Sequence, residues 1–298
     1  MRLAELQAHI ASIGELLDIV GAMRSLASMR VQEAQRALPG IRRYTETMVE
    51  AIGGALLLEP QAATEVPRGK GRSILILCAS EHGFVGGFNG RLLDAAEVEP
   101  DDLLMIMGSR GAVLAQERGL SARWALPAAS RPEGVPELVR RATTEIFRSV
   151  ADSKIDLVAL VYPRHRGGAP IAIERRMLFP IDRLSFTPAP SRLPPLHNLP
   201  AEVLLQKLIA DYVSALLTEA LIESLASENA ARFAAMESAH DNVSKKLEQL
   251  RQEARQARQG EITEELLDIV TGAGALQGSS ATPRGRPSSR WFQHRKRL

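Results

Sequence analysis

The chain has 298 residues, 45% of them hydrophobic and 24% charged, with a formal net charge of +2. This composition is that of a globular protein, and the balance of charge gives the whole chain no case for binding nucleic acid. A single cysteine, Cys78, excludes an internal disulfide and fits a reducing compartment, and no run of about 18 apolar residues is present to cross a bilayer.

From Leu3 to Leu57 apolar residues recur three and four apart: Leu3, Leu6, Ile10, Ile13, Leu17, Val20, Ala27, Val31, Ala34, Leu38, Ile41, Met48 and Ile52, with breaks at Arg24 and Thr45. Such spacing keeps one seam facing a partner helix over many turns. Glu5, Glu15 and Asp18 interrupt any signal-peptide core here. Pro39-Gly40 predicts a bend rather than a break, because the seam resumes in register beyond it. Residues 59–72, rich in Pro, Gly, Thr and Gln, read as a linker.

The period then changes. Ser73 to Ala79, Leu103 to Met107 and Ile155 to Val161 are apolar runs of strand length, as in a parallel sheet covered on both faces. Helical candidates lie between them at Phe88–Ala96, Arg110–Arg118 and Val135–Ala151, giving the alternation of an α/β layer. An added strand at Ile171–Phe179 follows a turn at 164–168. Prolines 188, 190, 194, 195 and 200 mark an exit linker, after which Ala201–Gln277 holds no proline. A seam returns at Phe233, Met236, His240, Val243, Leu247, Leu250, Ala254 and Ala257. The expected fold is α/β with a long antiparallel coiled coil: an N-terminal helix (1–58), an inserted Rossmann-like α/β domain (73–187), a C-terminal helix (200–277) and a disordered tail (278–298).

Few residues suggest chemistry. Gly83-Phe84-Val85-Gly86-Gly87-Phe88-Asn89-Gly90 follows the first strand, but its spacing fits neither a dinucleotide fingerprint nor a Walker loop, so it reads as a tight turn. Cys78 lies in an apolar run and is expected to be buried and inert. The six histidines show no paired ligand spacing, and His240 falls on the seam as a polar core residue. Arg251, Arg255 and Arg258 read as a solvated face paired with Glu248, Glu253 and Glu261, or as a ridge for acidic partners. The tail holds Arg284, Arg286, Arg290, Trp291, Phe292, Arg295, Lys296 and Arg297 and no acidic residue.

Three stretches carry a resemblance. Ser227 to Met236 with Asp241-Asn242, followed by Arg258 to Val270, closely resembles the C-terminal signature of the gamma subunit of rotary F-type ATP synthases. Ala22 to Arg30 is similar to that family's N-terminal signature, and Ser80 to Asn89 to its third. The resemblance runs from residue 1 to about 276.

Membership implies a central shaft turning inside a ring of three alpha and three beta subunits, its foot resting with an epsilon-type subunit on the c ring of the membrane. It implies no active site and no cofactor in the chain itself; ATP synthesis or hydrolysis belongs to the complex. Attachment to the cytoplasmic face of the bacterial inner membrane would then be peripheral, through the complex alone. Carried over by motif, Met23, Arg24, Arg232, Met236, Arg258, Gln259, Thr263 and Glu265 would contact beta, and Gly83, Gly86, Gly87 and Asn89 would belong to the foot. Arg30 where the family usually has lysine, Val85 where cysteine is usual, and the added basic end point to a second, alternative type of ATP synthase, with the coupled ion, H⁺ or Na⁺, open. The residues by themselves also allow a non-rotary coiled-coil adaptor or an α/β nucleotide-binding enzyme with helical extensions.

Overall fold

A computed structural model of the chain describes residues 3–58, 72–152, 155–167, 170–181, 186 and 196–278. Most of both expected linkers, and the basic tail after Gly278, lie outside the described residues. The chain forms two compact units: residues 17–242, and the paired chain ends, 1–16 with 243–298.

Two helices dominate, α1 (Leu3–Leu56, 54 residues) and α5 (Ala201–Gly278, 78 residues). They pack together along the expected seam: Val20, Ala27, Ala34, Leu38 and Ile52 are buried on α1, as is Met236 on α5. In the unit of chain ends Leu6 is buried, as are Leu247 and Leu250. Proline does not divide α1, which runs unbroken through Pro39. Pro39 and Gln35, whose carbonyl loses its helical donor, both lie on the exposed face where water can replace the lost bond.

One seam position is corrected. Phe233 is exposed, and Arg232 beside it is the buried residue. At this level the helix faces polar backbone rather than an apolar stripe, and a guanidinium satisfies that surface where a phenyl ring cannot. The expected pairing of the basic ridge is met once: Arg255 lies 3.1 Å from Glu248, with both side chains exposed.

Between the helices lies a five-stranded sheet of order β3-β2-β1-β4-β5, with β1 (Arg72–Cys78), β2 (Leu103–Met107), β3 (Ala122–Leu126), β4 (Ile155–Arg164) and β5 (Ala172–Phe179). The first four pair in parallel and β5 runs antiparallel to β4. β3 is an element that apolar periodicity did not reveal. Its residues alternate between exposed and half-buried at the sheet edge, so it lacks the continuous apolar run of an interior strand.

Side-chain alternation along β1 and β2 builds two cores. Ile74, Ile76, Cys78, Met105 and Met107 face α4 (Val135–Asp152) and the middle of α5, through Val139, Ala142, Leu216, Leu217, Ala220 and Leu221. Leu75, Leu77, Leu104 and Ile106 face α2 (Phe88–Ala95) and α3 (Ser109–Glu117), through Leu92, Leu93 and Ala115. Cys78 is fully buried in the first core, and burial pushes its thiol pKa well up. At the end of β2, Gly108 has φ +129°, and a Cβ there would fall 2.5 Å from the Ala79 carbonyl oxygen. Glycine is therefore required for α3 to start against the end of β1.

Candidate functional site

The C-terminal ends of β1 and β4 abut α5, and here the helix turns polar without becoming exposed. Ser224, Ser227, Glu228, Asn229 and Arg232 are all buried. Ser224 Oγ donates to the Cys78 carbonyl at 3.0 Å and Ser227 Oγ to the Pro163 carbonyl at 3.0 Å. Both acceptors lie at or next to strand ends, so the two hydroxyls tie the ends of β1 and β4 to α5.

Glu228 binds the loop after β1. Its carboxylate accepts from the backbone N–H of Glu81 at 3.2 Å and of His82 at 3.3 Å. Arg232, one turn on, donates to Glu228 at 2.6 Å, to the Gly83 carbonyl at 3.2 Å and to Asn229 Oδ1 at 2.9 Å. Charge-assisted bonds of this kind are the stronger class, and they fix the loop against α5. Glu81 carries the connection onward. It accepts from Ser109 N at 3.0 Å and Ser109 Oγ at 2.8 Å at the start of α3, and from Ala128 N at 2.7 Å after β3.

Helix α1 reaches the same place. Arg30 donates to the Ser130 carbonyl at 2.6 Å, and the Ser130 hydroxyl lies 3.0 Å from His82 Nε2. A cavity of about 440 Å³ opens between these groups, lined among others by Met23, Leu26, Arg30, Phe84, Leu225 and Arg232. Phe84 is 67% exposed and held at φ +61°. A large apolar side chain in that conformation is uncommon, and its position at a rim marks a presented surface.

The sequence-derived residues fall in three places. Met23 and Arg232 line this one cavity, while nearby Arg24 on α1 pairs with Glu237 on α5 at 3.1 Å and Met236 is buried. The glycine loop is the expected tight turn, with Gly86 at φ +55°. Asn89, however, is turned inward: its amide donates to Ser80 Oγ at 2.7 Å and its carbonyl oxygen accepts from Ser80 N at 3.0 Å. Its side chain holds the loop, leaving Phe84 and the glycine backbone as the outer surface.

The third place is the far part of α5, in the unit of chain ends, where Arg258, Gln259, Thr263 and Glu265 are exposed. Gln259 and Thr263 share one helical face, Arg258 and Glu265 another. Thr263 Oγ1 donates back to the Gln259 carbonyl at 2.8 Å. Around them Ile262, Leu266, Leu267, Ile269 and Val270 are exposed as well.

Sequence reading missed Ser224, and passed over Glu81, Ser227 and Glu228 inside the motifs it quoted. The available signal was a polar row at three- and four-residue spacing, Ser224, Ser227 and Glu228, set between Leu217, Leu221 and Leu225.

An inserted α/β domain packed on two paired terminal helices, the longer carrying exposed apolar residues from Ile262 to Val270, defines a shaft-type subunit made to work inside a larger assembly. The chain belongs to the ATP synthase gamma-chain family: the family model described as ATP synthase matches residues 2–276. It is 29% identical to the ATP synthase gamma chain of Frankia casuarinae, covering 92% of this chain and 98% of that one. With the gamma chain of Geotalea daltonii identity is 26%, over 93% and 99%. Among solved structures, a chain of the Tetrahymena thermophila mitochondrial ATP synthase central stalk and c ring matches at TM-score 0.53 and 17% identity, covering 74% of this chain and 99% of that one. A chain of the Euglena gracilis mitochondrial enzyme matches at TM-score 0.51 and 12% identity, over 91% and 100%. Both structural matches show a shared fold.

Proposed function

We infer that this chain is the central rotor shaft of an F-type ATP synthase, coupling transmembrane ion flow to ATP synthesis or hydrolysis by rotation. The observation that carries the reading is the family match over residues 2–276, which takes in both long helices and the α/β insertion. Its partners are a ring of alternating alpha and beta subunits, an epsilon-type subunit and the c ring. The site of work is the cytoplasmic face of a bacterial inner membrane. Among the described residues no helix is long and apolar enough to cross a membrane, so attachment goes through those partners.

The mechanism is allosteric. An asymmetric shaft offers a different surface to each of three chemically identical beta subunits, and each orientation favours one of their conformations. Arg258, Gln259, Thr263 and Glu265 supply polar contacts to beta from the far part of α5, and Met23 and Arg24 supply others near the cavity; the direct contact expected of Arg232 and Met236 is corrected, because both are buried and act by holding the shaft surface from within. The loop from Gly83 to Asn89 belongs to the foot, and the last helical turns, Leu266 to Leu276, run in an apolar collar formed by the alpha and beta subunits. Arg258 and Gln259 are exposed, which suits groups kept for a partner.

Purification of the native complex tests the reading. Co-elution of one copy of this chain with three alpha and three beta subunits supports it; a chain that elutes without them is an adaptor and ends it.

A further inference from the structure

A second charged cluster lies on α5 away from the loop. Glu219 and Glu223, one turn apart and both buried, meet arginines from three different elements. Arg42 of α1 donates to Glu219 at 3.3 Å and to Glu223; Arg176 of β5 lies 2.8 Å from Glu219; Arg164 of β4 lies 3.4 Å from Glu223. Arg164 is shared with Glu174 at 3.0 Å, which also accepts from Tyr162 at 3.0 Å. One pair of carboxylates thus ties α5 to α1, β4 and β5 together.

Charges buried in this way are poor glue, because desolvation offsets most of the attraction and apolar residues of similar volume do as well or better. They do differ from apolar packing in being directional. Leu216, Leu217 and Leu221 gain from contact in many orientations, whereas Glu219 and Glu223 keep their bonds at one rotation of α5 about its own axis.

We propose that Glu219 and Glu223, held by Arg42, Arg164 and Arg176, form a torsional key that locks the rotation of α5 to the α/β domain, so that turning the domain turns the shaft. This deepens the shaft reading and rests on it. The key residues are positioning residues and touch no nucleotide.

The test replaces four of them together: Arg42→Met, Arg176→Met, Glu219→Leu and Glu223→Met. Net charge is conserved and Arg164 keeps Glu174. Cys78 is buried, so spin labels can be placed selectively at Asp211→Cys on α5 and Met177→Cys on β5, both exposed. In the full chain the distance distribution between the labels is expected to broaden while the thermal midpoint holds or rises. In the assembled complex in lipid vesicles, ions pumped per ATP hydrolysed and torsional stiffness are expected to fall severalfold.

A distribution as narrow as that of the parent chain, or intact coupling and stiffness, overturns the proposal. Should the fourfold variant fail to fold, Glu223→Gln carries the same readouts, and a parallel loss of thermal stability and coupling there assigns the cluster to ordinary packing and overturns it. If the unaltered chain forms no complex with alpha and beta, the shaft reading fails, while the distance measurement still decides whether the key exists.

Discussion

From Ala215 to Asn229, α5 is buried at every position but Thr218, yet it carries Glu219, Glu223, Ser224, Ser227 and Glu228. From Glu261 to Thr271 the same helix is exposed at every position, although it carries Ile262, Leu266, Leu267, Ile269 and Val270. Polarity and exposure are inverted between the two stretches. In the first, strand-end carbonyls, loop N–H groups and arginines give polar side chains partners inside the domain. In the second, apolar side chains stay exposed among the described residues, with Ile269 and Val270 at 61% and 67%. Internal need shapes one stretch; under the proposed function, a surface supplied by other subunits shapes the other.

That contrast can be broken by experiment. The largest effect is expected from Leu247→Pro in the paired ends, where proline removes a helical hydrogen bond and displaces a buried leucine, costing about 3 kcal/mol or more. Circular dichroism should show lost helix, and assembly with the ring should fail. Leu217→Ala, at a fully buried position, should cost roughly 2–5 kcal/mol in urea unfolding by leaving a cavity. Leu266→Ala should shift the same unfolding curve by less than about 0.5 kcal/mol, because its side chain is 57% exposed. An equal loss at both leucines would erase the comparison.

A pH series sharpens it further. Burial raises the Glu223 pKa above the ordinary carboxylate value despite the opposing charges of Arg42 and Arg164. Its folded pKa therefore exceeds its unfolded one, so its contribution to stability is fully present at low pH and is lost as pH rises through the folded pKa. Glu223→Gln should accordingly be more stable than the parent near neutrality, with the gain fading on acidification. Burial also opposes the charge of Glu174, but hydrogen bonds from Arg164 and Tyr162 and the charge of Arg164 outweigh it and lower its pKa. Its stabilisation is present above the unfolded value and lost as pH falls through the folded one. Glu174→Gln should lose stability near neutrality and match the parent in strong acid. Urea midpoints between about pH 2 and 8 decide both signs.

The smallest structural effect is expected from Arg258→Ala with Gln259→Ala. Stability should hold within about 0.5 kcal/mol, while ATP turnover by the complex falls roughly tenfold, the equivalent of one charge-assisted hydrogen bond. Unchanged turnover would remove these two residues from the proposed contact with beta.

The legible parts of the fold were those where one physical demand acts alone. Ser73–Ala79, Leu103–Met107 and Ile155–Val161 needed only continuous apolar character to read as buried strands, and the seam needed only its spacing. β3 escaped because Arg123 and Trp124 sit on an edge with mixed exposure. Phe233 misled because hydrophobicity favours it over Arg232, whereas the surface facing that turn is made of Glu228 and the Gly83 carbonyl. Acidic residues on a helix normally read as solvated, so Glu219, Glu223 and Glu228 became meaningful only with Arg164 and Arg176 and the loop at Glu81, brought close by folding. The proposed contact residues at Arg258 to Glu265 came from motif alone, since an exposed helix records nothing of what it will touch.

Because the middle of α5 completes the cover over one face of the sheet, that face has only α1 and α4 to pack on until the ribosome has passed Ala226, well after β5 is complete. At roughly 5 to 20 residues per second, Ile74, Ile76, Met105 and Met107 wait only partly covered on the nascent chain for some seconds. Newborn copies are thus most prone to aggregate before release, and binding by a holdase in that interval would protect the yield of finished rotors.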